Sequence, residues 1–495
     1  MIKLSSRALV HWRRPRREWL EPGGIYPFGT PPFDPFPTVS DIVSADFCPV
    51  AILHRLLHGE DRSPTFISER RDRLRGAGTL YHEFIAILKS RIVNGDLQRF
   101  SPDVIRPEFL RFVRGQEELQ EIWPRYLVPW LNGVRSGEHT SVSPRERVFF
   151  EVTVASEYVP FRYEEQRLTY PLRGVIDEIN LDRRLIIERT IVGGPDDDGP
   201  PEADALQLWL LWKVLNSIDR HNYPEELRGV NFDDFHIIVE TPFHDFEIDR
   251  ENQEFERRVH DAYAWIRDLT FDHRSEFEAY RNQRCDREPG IRCSFMHTVC
   301  RRRNFQFPQA RSVMREEFRS WFRPLWHEII WNSHLLQYRL LRLPLDDLEH
   351  QGWLARARIT SFIDRDLIQV EIIRDEERGP ILAHIQNSGR CELIFGTPSI
   401  GQRIEVTLES EAEGRLILRT SKRYLFLSNN TFILPDVALL ESRPWYLTQR
   451  IQQDMFRFEH IGRENIVRAR NDSLVQLIEA IFGSNLLRRE RSNVG

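Results

Sequence analysis

Lysine is almost absent from this chain. Only four of the 495 residues are lysines, and the other basic side chains are arginines. A phosphate-binding P-loop needs a lysine between a glycine and a serine or threonine, and no lysine here follows a glycine. The sequence therefore excludes a P-loop ATPase within these residues, and any motor that works with this chain must be a separate polypeptide. The four lysines are Lys3, Lys89, Lys213 and Lys422.

Long apolar runs are also missing. No stretch approaches the roughly 18 apolar residues of a membrane-spanning helix, and no apolar segment typical of a secretory signal follows the first basic residues. We therefore expect a cytoplasmic protein without a membrane partner. The net charge of −6 argues against a uniformly basic nucleic-acid-binding surface, but it leaves room for local basic patches.

Cysteines are too few for a disulfide scaffold, since there are five in the whole chain. Cys48 stands near the start, Cys285, Cys293 and Cys300 lie together, and Cys391 lies apart. The polar sequence around Cys285 and Cys293 argues against simple burial of these two side chains. Cys391 is expected to be a small core residue.

Length and composition predict two or three domains with substantial cores, since 41% of the residues are hydrophobic. Proline-rich sequence and changes in hydrophobic period set the boundaries. We expect an extended arm at 1–40, an α/β domain at 41–305, a helical connector at 306–345, a small β-barrel at 346–442 and a helical tail at 443–495.

The α/β domain is predicted to contain a mixed sheet flanked by helices, with a helical lobe inserted. Helical spacing indicates Glu69–Ile92 and Ala205–Leu215, and alternation indicates strands at Val148–Val154 and Phe235–Glu240. Between them, Leu168–Ile191 is typical of a β-hairpin.

One further helix is expected at the start of the α/β domain. Ser40 or Ser44 would cap it, and it would continue through Cys48 to Leu57. Such a helix would place Cys48 on a rigid element.

Two carboxylates mark the hairpin as a candidate site. Asp177 and Glu188 lie near the ends of adjacent predicted strands, and together they could hold Mg²⁺ or Mn²⁺, which prefer oxygen ligands. Such a metal would polarise a scissile phosphate and lower the pKa of an attacking water. The alternative is a solvated hairpin, in which acids at strand ends are ordinary.

Other polar residues extend this pattern. His82 lies on a predicted helix, Glu151 lies on the strand before the hairpin, and Gln207 lies on the apolar helix after it. Each alone is weak evidence, but their order is informative. The series runs Cys48, Gly78-x-x-x-His82, Gly174-x-x-Asp177, Glu188-x-Thr190, Gln207-x-x-x-Leu211, Cys285, Cys293 and Cys300.

Over about residues 40–305 this order resembles the iron–sulfur branch of the PD-(D/E)XK, or RecB-type, nucleases. That branch includes CRISPR-adaptation nucleases and the nuclease half of the eukaryotic replication nuclease–helicase, in which a β-barrel follows the nuclease part. The resemblance implies a restriction-endonuclease-like mixed sheet with a helical lobe, followed here by a small barrel and a helical tail.

The resemblance also implies a set of site residues. A [4Fe–4S] cluster would be bound by four thiolates, with His297 as a competing ligand. The metal-dependent site would use a histidine and two acids, assisted by a glutamine and a further glutamate. The cluster ligands are Cys48, Cys285, Cys293 and Cys300, the metal ligands are His82, Asp177 and Glu188, and the assisting residues are Gln207 and Glu151.

Two departures from the family pattern bear on activity. The family lysine that helps to position and activate the water is replaced by Thr190, and the tyrosine of the glutamine motif is replaced by Leu211. Arg189 is expected on the opposite face of its strand, and it is too basic to accept a proton. Lys213 is expected on a different face of its helix from Gln207.

DNA contacts are expected in two places. Trp353, Phe362 and Tyr424 of the predicted barrel could stack on the bases of a single strand, or they could be barrel core. An arginine run after Cys300 could contact phosphates, or it could be a solvated face. The run consists of Arg301, Arg302 and Arg303.

These features favour a metal-dependent DNA nuclease that acts in DNA repair or anti-phage defence with a separate helicase or translocase. Its substrate would be single-stranded DNA or DNA with single-stranded ends. The alternative, favoured by Thr190, is a catalytically inactive, DNA-binding scaffold subunit of a helicase or ATPase complex. A third class is an iron–sulfur structural protein unrelated to nucleic acid.

Overall fold

A computed structural model describes three parts of the chain and gives them a mixed α/β architecture. Cys48, Cys285, Cys293, Cys300, the arginine run and Tyr424 lie outside the described residues. The described residues are 38–47, 65–271 and 343–442, with gaps at 96, 98–100, 114–119, 164–165, 224–226, 344, 364–366, 374–378, 380, 384, 387–390 and 421–436.

Helices surround the sheet in the first two parts. None of those described is long and apolar enough to cross a bilayer. They are α1 (Val39–Phe47), α2 (Thr65–Val93), α3 (Pro102–Phe112), a π-helical turn (Trp123–Leu127), α4 (Val128–Ser136), α5 (Glu202–Ser217), α6 (Gln253–Phe271) and α7 (Leu345–His350).

Eleven strands form one continuous sheet. They are β1 (Val148–Tyr163), β2 (Gln166–Asn180), β3 (Leu185–Arg189), β4 (His236–Glu240), β5 (Asp245–Glu247), β6 (Leu354–Phe362), β7 (Leu367–Ile372), β8 (Cys391–Gly396), β9 (Ile400–Ala412), β10 (Arg415–Thr420) and β11 (Val437–Ser442).

The strands β1 to β5 are consecutive neighbours and carry the candidate site. β1, β2 and β3 pair antiparallel, whereas β3 and β4 pair parallel. A parallel pair needs a crossover, and α5 provides it. α5 is strongly apolar, and its buried side chains, among them Leu206, Trp209 and Leu210, share one core with Ile186 of β3 and Val239 of β4.

A second core lies under α2, α3 and α4, which form the inserted helical lobe expected from the sequence. Phe84 of α2 and Phe109 of α3 make an edge contact with ring centroids 5.2 Å apart. Trp130 of α4 and Phe150 of β1 belong to the same cluster. Helices thus pack against two separate surfaces of the strands β1 to β4.

The strands after α7 close on themselves. β6, β7, β10, β9, β8 and β11 each pair with two others in this order, so the ladder forms a ring. β9 also pairs with β1, with Val152 opposite Gln402. Two units that the sequence separates are therefore joined by backbone hydrogen bonds.

Two residues of this ring settle sequence-based alternatives. Trp353 is buried with Leu354 and Ile394, so this side chain is core and the base-stacking interpretation for it is wrong. Cys391 is fully buried, and its thiol donates to the Val406 carbonyl at 3.6 Å, as expected for a small core residue.

α1 begins differently from the prediction. The Thr38 hydroxyl accepts a hydrogen bond from the Asp41 N–H, and the Asp41 carboxylate accepts one from the Thr38 N–H, both at 3.1 Å. This reciprocal pair is a capping box, so Ser40 and Ser44 lie within the helix and the cap prediction is wrong. The predicted continuation beyond Cys48 falls outside the described residues.

Gly174 is required by close packing between β2, α1 and α5. A Cβ at this position would clash with the Leu211 side chain and lie 3.2 Å from Cγ2 of Val39. Both neighbours are 1% exposed and have little room to move. The residue that replaces the family tyrosine, Leu211, thus fills the space that Gly174 leaves.

Replacing Gly174 by alanine should therefore destabilise the protein by about 1–3 kcal/mol, the usual cost of overpacking. Because Leu211→Ala relieves the clash, the double variant should lose less than the sum of the two single losses. Gly229→Ala is the control, since no atom lies within 4 Å of the place that its added methyl group would take. Chemical denaturation measures all four variants, and equal losses for the two glycine variants would contradict this packing.

Candidate functional site

His82 and Asp177 come together from α2 and β2. Nδ1 of His82 lies 3.2 Å from Oδ2 of Asp177, and the same oxygen accepts the Arg189 backbone N–H at 2.7 Å. Burial raises the pKa of Asp177, but the His82 ring and the Arg189 groups outweigh it and hold the pKa below the usual value. Asp177 is therefore ionised at neutral pH.

Glu188 is oriented by Gln207. The Gln207 side-chain amide on α5 donates to Oε1 of Glu188, while Oε2 is buried and has no hydrogen-bond partner. Burial, followed by the charges of Asp177 and Asp204, raises the pKa of Glu188 well above its usual value. A buried carboxylate oxygen without a donor is costly, and a cation would remove this cost.

Asp204 is a site residue that the sequence interpretation missed. It lies in the first turn of α5, three residues before Gln207, so the two side chains share a helix face. The Thr190 hydroxyl hydrogen-bonds to the Asp204 carboxylate, although burial still raises the pKa of this acid. The spacing Asp204-x-x-Gln207 on an otherwise apolar helix is the signal that could have found it.

The carboxylate site is defined here as these six residues together. The structure thus gathers all four of the predicted motif residues from α2, β2, β3 and α5, and it adds two. Its members are His82, Asp177, Glu188, Thr190, Asp204 and Gln207.

Glu151 lies across from Asp177, since the register of the flanking β1–β2 pairs is constant. Its φ is +50°, a conformation that costs a non-glycine residue about 1–3 kcal/mol. Phe150 belongs to the core of the helical lobe, whereas Val152 belongs to the α5 core. Residues two apart normally share a face, so the alternation of β1 reverses at Glu151, beside the carboxylate site.

Arg189 points away from the carboxylate site, as alternation predicts. Its Nε lies 2.6 Å from Oε2 of Glu240, and its guanidinium also pairs with Glu178. Nζ of Lys89 lies 3.0 Å from Glu178 and 3.4 Å from Glu240. All four side chains are buried, so neither cation takes the place of the family lysine.

His139 extends these ion pairs. Its Nδ1 lies 2.7 Å from Oδ1 of Asp245, and its Nε2 lies 3.2 Å from the Pro242 carbonyl. Burial lowers the pKa of His139, but Asp245 outweighs burial and raises it. His139 is therefore a third buried cation. The buried ion-pair network is Lys89, His139, Glu178, Arg189, Glu240 and Asp245.

Among the described residues, His139, Glu240 and Asp245 are the group of three potential ligands whose atoms lie within 4.8 Å of one another. The set His82, Asp177 and Glu188 is not gathered that closely. The first group nevertheless makes a poor metal site, because protein cations already neutralise its acids. Burial raises the pKa of Glu240, but Lys89 and Arg189 overcome this effect and lower it to about 2.

Removing one cation from the buried ion-pair network should be severely destabilising. Lys89→Met leaves an uncompensated buried negative charge, and we expect a loss of about 3–5 kcal/mol in the free energy of unfolding. Arg147→Met is the control, because the Arg147–Asp182 pair is exposed and should contribute about 0–1 kcal/mol. Urea denaturation at neutral pH tests both, and similar losses would argue against the network.

Comparison with known proteins adds little to this geometry. No protein-family model and no curated protein matches the sequence. The structure is similar to the crystal structure of SSO0001 over 34% of this chain and 75% of that chain, with 15% sequence identity and a TM-score of 0.17. A TM-score this low supports no conclusion about the fold or function of this chain.

Proposed function

We propose that this chain is an iron–sulfur, PD-(D/E)XK-type DNA-processing protein that cleaves DNA with Mg²⁺ or Mn²⁺ at the carboxylate site. One observation carries the proposal. The residues selected by motif order, spread from His82 to Gln207, meet in two direct contacts, His82–Asp177 and Gln207–Glu188. An ordinary solvated hairpin would not require this convergence.

The donor set suits a hard divalent cation. Asp177 and Glu188 offer carboxylate oxygens, which Mg²⁺ and Mn²⁺ prefer, and the imidazole of His82 can complete the set. Bound there, the cation would polarise a phosphate and lower the pKa of a water molecule. Gln207 holds Glu188 in place, and the Arg189 N–H holds Asp177.

A catalytically inactive scaffold is the second candidate, and a specific observation favours it. Position 190 carries a threonine, and the nearest basic side chains among the described residues, Lys89 and Arg189, are committed to the buried ion-pair network. In that case the chain would bind DNA for a separate helicase or ATPase. The strand ring, interpreted as the expected small barrel, and the run Arg301–Arg303 would supply DNA contacts.

The proposed [4Fe–4S] cluster has indirect support from α1 and α6. Cys48 directly follows α1, and Cys285 follows α6 in the sequence. The two helices are joined by a buried ion pair, with Arg258 Nη2 2.8 Å from Asp46 Oδ2. The described segments nearest the proposed ligands are therefore held together before any cluster is considered.

Cleavage tests the leading proposal. Full-length protein with Mn²⁺ should degrade labelled single-stranded DNA or single-stranded ends, and Asp177→Ala should reduce the rate roughly 100-fold or more, because it removes a metal ligand. Asp196→Asn is the control, since Asp196 is exposed. Equal cleavage by wild type and Asp177→Ala would exclude the site.

Thr190→Lys separates the two candidate functions in the same assay. If the wild type binds DNA without cleaving it and Thr190→Lys gains Mn²⁺-dependent cleavage, the site is intact but disarmed and the scaffold is favoured. Failure of the wild type to bind DNA under any of these conditions would favour the structural iron–sulfur class.

Iron analysis tests the cofactor separately from activity. Protein purified without oxygen should be brown and contain about four iron atoms per chain. Cys293→Ala should lose iron, whereas Cys391→Ala should retain it, because Cys391 is a core residue of the strand ring. Colourless wild-type protein with no iron would contradict the cluster.

A further inference from the structure

Position 190 contacts an acid. Thr190 lies two residues after Glu188 on the same side of the chain that continues β3, and its hydroxyl donates to the Asp204 carboxylate. The hydroxyl oxygen also accepts the Val192 N–H at 3.1 Å. Both hydrogen-bonding roles of the threonine are therefore used, and its orientation is fixed.

Asp204 does not serve as the cap of its helix, although it lies in the first turn. α5 has no side-chain capping hydrogen bond, and its N-cap residue is Pro201. Gln207, one turn further along α5, orients Glu188. Two successive polar positions on one face of α5 are thus directed at β3 and the residue just after it.

The electrostatics of the carboxylate site call for a cation. Asp177, Glu188 and Asp204 repel one another, and each raises the protonation tendency of a neighbouring acid. Oε2 of Glu188 is unpartnered in a residue that is 5% exposed. The cations across the sheet are already neutralised by their own acids, so compensation must come from outside the chain.

We propose that Asp204, held by Thr190, is a third carboxylate of the cation site and that this Thr–Asp pair occupies the place of the family lysine. The inference rests on the proposed function of the site but assigns a residue that the motif order does not contain. Replacing a positive lysine by a neutral threonine with a negative aspartate makes the site two charges more negative. Such a site binds a divalent cation more strongly and repels a DNA phosphate until that cation is present.

Mn²⁺ binding to the full chain, measured by calorimetry without DNA, tests the proposal. Wild type should bind Mn²⁺, and Asp204→Asn should weaken binding about 10- to 100-fold, the range for a lost metal-site partner. Glu188→Gln is the positive reference and should weaken binding at least as much. Asp196→Asn, which removes an exposed acid, should bind as the wild type does.

Thr190→Val guards against a folding defect in the aspartate variant. Valine has the shape of threonine and adds no charge, so this variant loses only the contact that orients Asp204, and we expect about a few-fold weaker Mn²⁺ binding. Unchanged affinity in Thr190→Val, or in a folded Asp204→Asn, overturns the proposal when Glu188→Gln is weakened.

The outcomes also separate this inference from the nuclease proposal. A chain that cleaves DNA but binds Mn²⁺ equally well with or without Asp204 retains the nuclease function and excludes the third carboxylate. A chain in which Asp204→Asn weakens Mn²⁺ binding, while no variant cleaves DNA, supports the third carboxylate and excludes the nuclease.

Discussion

The ion pairs of Arg189 with Glu178 and Glu240 are the constraint on which the rest of the site depends. They tie β3 to β2 and β4 from one face, while the backbone N–H of the same arginine holds Asp177. One residue therefore fixes the strands from below and a candidate ligand from the side. A buried charge can be kept only if it is paired, so the position of β3 is determined within narrow limits.

The same network reaches the helix that carries His82. Lys89 follows His82 by seven residues, about two helical turns, and its ammonium group is bound between Glu178 and Glu240. Movement of α2 along its axis would break those contacts before it separated His82 from Asp177. The neutral network on one face thus positions an acidic site near the other, and it uses the only described lysine near the site in doing so.

Residue patterns explain much of this arrangement, and where they fail the reason is tertiary. Alternation placed Arg189 opposite Glu188, and apolar spacing located α5 and the β2–β3 hairpin. The Lys89–Glu240 contact joins residues 151 positions apart, and no local pattern contains it. The Thr38 cap was missed because its partner, Asp41, directly follows a proline-rich segment that is typical of extended chain.

Charge at position 190 also decides what the two candidate functions have in common. A lysine there would contribute to the chemical step and would partly neutralise Asp177 and Glu188. The threonine does neither, and through Asp204 it adds a negative charge beside them. Strong cation binding and slow turnover then follow from the same substitution, because the group that tightens the metal is also the group that displaces the base. A scaffold that binds DNA through a metal ion and a nuclease that depends strictly on its metal ion therefore differ in their rate of turnover, and both can share this ground-state structure.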